Sequence, residues 1–160
     1  VRVVPGRRLT RGVNLTVIVT ALAVTALDAA TKAWARHALA RHGVHVAGGV
    51  WLRLRYNSGV SFSFNASGSA VTTVLISVVA LAVVAVGLRA HPGAPAIGFG
   101  LLIGGGVANI LDRLAASPHR VTDFVALGGF PVFNLADVSI TAGFVVLVVA
   151  ALRGEVLTTR

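Results

Sequence analysis

A chain of 160 residues without a single cysteine excludes disulfides, thiolate metal sites and a cysteine nucleophile at the outset. Hydrophobic residues make up 56% and charged ones 12%, with a mean hydropathy of +0.86, where an ordinary soluble domain carries about 25% charged residues. The apolar residues gather in blocks instead of amphipathic stripes, so membrane spans are favoured over a soluble core. The formal net charge of +9 sits on residues that flank those blocks, with no aromatic-basic recognition motif, which points to anionic lipid headgroups and away from nucleic acid.

A hydrocarbon core about 30 Å thick needs roughly 20 mostly apolar helical residues. Four stretches come near that length: Val13 to Trp34, Ala70 to Leu88, Ala94 to Leu114 and Leu135 to Leu152. The first follows a basic tail (Arg2, Arg7, Arg8, Arg11). Its apolar run is longer than the core of a cleaved signal, and it ends in Asp28, Thr31 and Lys32 instead of a small-residue cleavage site, so it is a retained span. Asp28 and Lys32 lie four apart and meet on one helix face, where simple charge pairing accounts for them.

In "VWLRLRYN", residues 50 to 57, Val50, Leu52, Leu54 and Tyr56 alternate with Trp51, Arg53, Arg55 and Asn57. That two-residue period predicts a strand, and with it a small sheet on the membrane surface. Asn57 and Gly59 follow in a stretch with turn chemistry. The connection "RAHPGAP" is short and rich in proline and glycine, which makes spans two and three antiparallel neighbours.

"GGGVANILDRL", residues 104 to 114, combines glycines that permit close helix approach with Asn109 and Asp112 on one face. Asp112 adjoins Arg113, and charge pairing at the helix end is the plain reading of both. "RVTDFVAL" places Val121, Asp123 and Val125 on one face of an extended segment, with Arg120 the nearest cation along the chain. In "FNLAD", Asn134 precedes the fourth span as an N-cap and Asp137 lies in its first turn, where the helix dipole favours a carboxylate. Capping offers no such account of Asp123.

Four spans return the chain to the side on which it began, and the basic tail assigns that side to the cytoplasm. The remaining basic residues do not decide it, because Arg2, Arg7, Arg8, Arg11, Arg89, Arg153 and Arg160 are balanced by Lys32, Arg36, Arg41, Arg53, Arg55, Arg113 and Arg120. In this topology Asp28, Asp112, Asp123 and Asp137, four of the five acidic residues, fall near the extracytoplasmic helix ends. A carboxylate at the bilayer centre costs about 2.5 to 3.5 kcal/mol on insertion scales, and less near the interface, so each needs a partner or a purpose. Two aspartates brought together there share one proton, the state in which an aspartic peptidase activates water with one carboxyl and polarises the carbonyl with the other. On the residues alone, either Asp123 or Asp112 could be the partner of Asp137.

Competing chemistries are poorly supplied. The five histidines (His37, His42, His45, His91, His119) fall in loops or at their edges without metal-ligand spacing, and no G-x-x-x-x-G-K-S/T sequence occurs, so neither a metal nor an organic cofactor is expected. The alternative from another class is a small ion-coupled transporter or channel with clustered carboxylates. Against it, the acids gather at one membrane face and no inverted repeat is visible.

With those residues in view, the chain resembles the lipoprotein signal peptidases, also called signal peptidase II, over nearly its whole length. The resemblance lies in "DAATK" (28 to 32), "NSGVSFS" (57 to 63), "GGGVANILDRL" (104 to 114), "VTDF" (121 to 124) and "FNLADVSITAG" (133 to 143), in family order and spacing. It implies an all-α membrane protein with four transmembrane helices and a small extracytoplasmic β-sheet, forming one domain over residues 1–160. It also implies a monomer in the bacterial cytoplasmic membrane with both termini cytoplasmic. The expected reaction removes the signal peptide of a lipid-modified prolipoprotein just before its diacylglyceryl cysteine, without a cofactor and in contact with membrane lipid. Carried onto this chain, the catalytic pair falls on Asp123 and Asp137, while Asp28, Lys32, Asn57, Gly59, Asn109, Asp112, Arg113 and Asn134 support the site or the substrate. The chain departs from the family pattern at Ala108, where a glycine is usual, and at Val60 and Ser61, where alanines are common.

Overall fold

A computed structural model of the protein describes residues 14–57, 67–116 and 120–159. In chain order the elements are α1 (Leu15–Ala38), β1 (Val44–Ala47), β2 (Val50–Asn57), α2 (Ser67–Gly87), α3 (Ala94–Ala115), β3 (Val121–Leu127) and α4 (Leu135–Leu152). The Asn14 side chain caps α1 by accepting from the Thr16 amide at 3.0 Å. α3 starts at Ala94 and Pro95, where the missing proline N–H is one the first helical turn would leave unpaired.

Among the described residues three helices, α1, α3 and α4, are long and apolar enough to cross a membrane, with mean hydropathies of 1.5, 1.7 and 2.3. α2 is apolar over the shorter stretch Val74–Gly87. Leu15, Leu22 and Leu27 on α1, and Phe144, Val148 and Leu152 on α4, stand exposed on the outside of the bundle, as suits a protein whose solvent is lipid. The helix bounds lie within a few residues of those expected. α1 is the exception, continuing past Trp34 to Ala38 because Lys32 and Ala35 on its last turns are buried by protein.

α3 is the central helix, packed against α1, α2 and α4. Between helices in lipid there is little hydrophobic driving force, so association depends on close van der Waals fit, and small residues supply it. A Cβ on Gly104 would stand 2.7 Å from the Ala21 carbonyl of α1, and one on Gly105 would stand 2.5 Å from the Ala136 carbonyl of α4. The hydroxyl of Thr25 donates to the Gly104 carbonyl at 3.1 Å across the same contact. Gly106 differs, having nothing within 4 Å of its would-be Cβ.

The three strands form an antiparallel sheet in the order β1-β2-β3. β2 alternates as expected from Val50 to Leu54, while Tyr56, expected on the same face, is exposed; Leu52 and Leu54 pack with Phe124 on Ala35 and Leu39 at the end of α1. β3 is extended as expected, and both its faces are covered, since Thr122, Phe124 and Ala126 are buried as well as Val121 and Asp123. One side of β3 meets the sheet's underside at α1, where Trp34 stands edge-on to Phe124 at 6.3 Å. Beyond β3 the chain doubles back, with Val125 and Phe133 exchanging two backbone hydrogen bonds of 2.9 Å, so that Asn134 and the start of α4 come beside Asp123.

The opposite end of the bundle gathers the start of α1, the α2–α3 turn and the segment after α4. Asn14 Nδ2 donates to the Ala90 carbonyl at 3.3 Å, and the amides of His91 and Thr159 donate to Leu157 and Arg89 at 2.9 and 2.7 Å.

The contrast between adjacent glycines predicts the outcome of two single substitutions. Gly105→Ala must push α3 from α4 and should cost about 1 to 3 kcal/mol, the usual penalty of overpacking. Gly106→Ala should hold or raise stability by up to about 1 kcal/mol through helix propensity. Thermal midpoints in detergent micelles distinguish them, and equal midpoints would contradict the packing account.

Candidate active site

The site grows from Lys32, an ammonium only 2% exposed. Its Nζ lies 2.8 Å from Asp28 Oδ2, 2.8 Å from Asn109 Oδ1 and 3.5 Å from Asp112 Oδ2, so a group with three donors meets three oxygens. Asp28, 1% exposed, uses its other oxygen to accept from the Ala136 amide at 2.8 Å. That amide is one of the unpaired donors in the first turn of α4, so a single carboxylate ties α1 to α4.

Asn109 is oriented by this cation. Its Oδ1 accepts from Lys32 and from Asn134 Nδ2 at 3.3 Å, which turns its Nδ2 to Asp137 Oδ1 at 2.9 Å. Asn134, with no solvent exposure, forms a reciprocal capping box with Asp137: Asn134 Oδ1 accepts from the Asp137 amide at 3.0 Å, and Asp137 Oδ2 accepts from the Asn134 amide at 3.1 Å. The Asn134 Nδ2 also donates to Asp123 Oδ1 at 2.6 Å. The cap residue of α4 is thus the bridge between the two aspartates.

Asp123 is 2% exposed on β3, with Arg55 of β2 its cross-strand neighbour. Burial pushes its carboxyl up to about 6 from 3.8. Hydrogen bonds from Asn134 and Asn57 pull the other way, Asp137 adds to the rise, and the charge of Lys32 opposes it. Arg120 is the nearest cation along the chain, whereas in the fold the charges of Lys32 from α1 and Arg113 from α3 act on Asp123.

Asp112 holds a different place. Its ion pairs are with Lys32 and with Arg36 Nη1 at 3.3 Å, and its Oδ2 accepts from the Thr122 amide at 2.6 Å, which ties β3 to the helices. Lys32, Arg36 and Thr122 thus hold this carboxylate, with the charge of its chain neighbour Arg113 also acting on it. Arg113 Nη1 donates to the Asn109 carbonyl at 3.3 Å, and the guanidinium stands in the field of Asp137, Asp123 and Asp112.

Asn57 ends β2 and reaches Asp123, while Gly59 lies outside the described residues. Two participants were missed in the sequence. Arg36 binds both Asp112 and Thr122 Oγ1, at 3.3 and 3.1 Å, and its position four residues after Lys32 was a usable signal. Thr122 left none, since its part depends on where β3 docks. His37, His42 and His45 are exposed, His119 lies outside the described residues, and no group of three His, Cys, Asp or Glu side chains among those described is placed to hold a metal.

A helical bundle with lipid-facing apolar helices and a buried carboxylate–amide network at one end defines an integral membrane protein with a buried polar site. The family model for signal peptidase (SPase) II matches residues 20–153, and the chain belongs to that family, an aspartic peptidase family. It is 38% identical to the lipoprotein signal peptidase of Rhodopseudomonas palustris over 86% of this chain and 92% of the relative. With the lipoprotein signal peptidase of Streptomyces coelicolor it shares 33% identity over 91% of this chain and 75% of the relative. Among solved structures, a bacterial membrane enzyme determined by the in meso method at 1.9 Å resolution shares the fold, with a TM-score of 0.73 and 23% identity over 86% of this chain and 92% of that one.

Two aspartates of the network should respond oppositely to neutralisation. Asp28→Asn leaves a buried ammonium short of its closest anion and should cost roughly 3 to 5 kcal/mol, seen as a lower thermal midpoint. Asp123 has its folded-state carboxyl raised from 3.8 to about 6, so its contribution to stability is present below pH 4 and lost as pH rises through about 6. Asp123→Asn should flatten that pH slope without destabilising the protein at pH 7. A protonated-carboxyl infrared band that titrates near pH 6 and disappears in Asp123→Asn would confirm the assignment; its absence at pH 5 would refute it.

Proposed function

We propose that this chain removes signal peptides from prolipoproteins by aspartic peptidase chemistry, with Asp123 and Asp137 as the reacting pair. The observation that carries the assignment is the Asn134 bridge, which holds to Asp123 at 2.6 Å while capping α4 through Asp137. Family membership supplies the reaction class. The ion-coupled alternative finds no support, because the described carboxylates of the network cluster at one end of the bundle.

In this mechanism one carboxyl holds a proton and the other accepts one. Water attacks the scissile carbonyl, giving its proton to Asp137 while the protonated Asp123 donates to the carbonyl oxygen. Collapse of the tetrahedral species breaks the C–N bond as a carboxyl returns the proton to the leaving amine. Asn109 and Asn134 fix the carboxyl oxygens, Asn57 and Gly59 border the substrate, and Arg113 supplies positive charge beside the developing oxyanion. Asp28, Lys32 and Asp112 act through these groups as scaffold. No metal or organic cofactor takes part.

The remaining placement follows the same reading. α2 serves as the fourth span, residues 1–160 act as one domain and as a monomer, and the protein lies in the bacterial cytoplasmic membrane with both termini inside. The site then faces the extracytoplasmic leaflet, where a diacylglyceryl-modified cysteine keeps the scissile bond near the lipid surface and substrate arrives laterally from the bilayer.

Cleavage of a diacylglyceryl-modified prolipoprotein by the reconstituted protein tests this directly. Asp123→Asn and Asp137→Asn should each lower turnover about 1,000-fold, and a substrate without lipid should be cut poorly. In the wild type, kcat/KM should fall as pH rises past about 6, as the Asp123 proton is lost from the free enzyme. Near-normal turnover in either variant, with the protein folded, would refute the assignment.

A further inference from the structure

Two cavities lie apart from the aspartate pair, and neither is lined by Asp123, Asp137, Asn109 or Asn134. The first, of about 190 Å³, runs between α1 and α3, where Thr25, Ala29, Ala108, Leu111 and Ala115 give it mostly apolar walls. The second, of about 510 Å³, opens beyond it toward the sheet and is lined by Arg36, Tyr56, Arg120 and Thr122. Arg36, Asp112 and Ala115 border both, so the two form one groove with an apolar floor and a cationic head.

The dimensions are those of one lipid leaflet. From Thr25 to Arg36 is eleven residues along α1, about 16 Å of helix. Half of a hydrocarbon core of about 30 Å is nearly the same length. Asp28 and Lys32 also border the groove, but their charged ends turn inward to Ala136 and Asn109, leaving the lysine stem toward the groove. Arg36 is 41% exposed and makes its protein contacts through Nη1, leaving Nη2 and Nε for a ligand. Arg36 and Arg120 together outweigh Asp112, so the head of the groove keeps one net positive charge.

We infer that this groove is a binding site for an anionic phospholipid, with an acyl chain against Ala29, Ala108 and Leu111 and the phosphodiester held by Arg36 and Arg120. A phosphodiester carries one negative charge and suits guanidinium donors, whereas a zwitterionic headgroup brings a second cation to arginines already present. A diacylglyceryl thioether has no phosphate, so the cationic head does not fit the substrate of the proposed reaction. The inference does not rest on that reaction.

The test is lipid retention. The full chain in nanodiscs of mixed phosphatidylglycerol and phosphatidylcholine is released into native mass spectrometry, and the lipids that stay bound are counted. The wild type should enrich phosphatidylglycerol about fivefold, the effect of one arginine near an anionic surface. Arg120→Gln, an exposed change, should bring the ratio close to one, and Ala115→Phe should lower retention by filling the neck shared by the cavities. Equal retention of both lipids by the wild type would overturn the proposal, as would unchanged enrichment in Arg120→Gln. Displacement of phosphatidylglycerol by free glycerol phosphate would also overturn it, by assigning the cationic head to a soluble phosphate.

Discussion

The burial of one ammonium organises the polar end of this protein. Lys32 is withdrawn from water in a bundle whose surroundings are lipid, and a charge so placed must be met by acceptors on every side. It is met from α1 by Asp28 and from α3 by Asn109 and Asp112, and through Asp28 it reaches the first turn of α4. Three helices are thereby fixed around a point. The same contact decides which way the Asn109 amide faces, and so which group donates to Asp137.

The four carboxylates near this point divide their tasks by what surrounds them. Asp28 is consumed by a cation and a helix terminus, and Asp112 by two cations and the backbone of β3. Asp137 is held by amides. Asp123 is almost wholly withdrawn from solvent, and burial raises its proton affinity against the donors and the charge of Lys32 that oppose it. Asn134 shows that a structural and a chemical account of one residue need not compete. The Asn134 of the capping box that starts α4 also donates to Asp123, so the helix terminus and the link between the two aspartates are one object.

The packing beneath serves the same end. Gly104 and Gly105 point to opposite neighbours, which allows α3 to approach α1 and α4 closely enough for Lys32, Asn109 and Asp137 to form hydrogen bonds near 2.9 Å. A third neighbouring glycine, Gly106, has no such duty, so the run of three is not explained by close approach throughout.

Much of this was legible in the sequence because the signals were local. Block hydropathy located the helices, a two-residue period located β2 to its ends, i to i+4 spacing paired Asp28 with Lys32, and cap chemistry marked Asn134 and Asp137. The quoted motifs named the family, and the unexplained Asp123 marked where chemistry was to be sought. What the sequence could not decide were contacts between segments far apart in the chain: that Asp112 serves Lys32, Arg36 and Thr122, that Ala136 is held by Asp28, and that both faces of β3 are buried. Periodicity and capping are set by neighbouring residues along the backbone. The charge and proton affinity of a buried group depend on the dielectric and donors that surround it, and those exist only once the helices and sheet have closed.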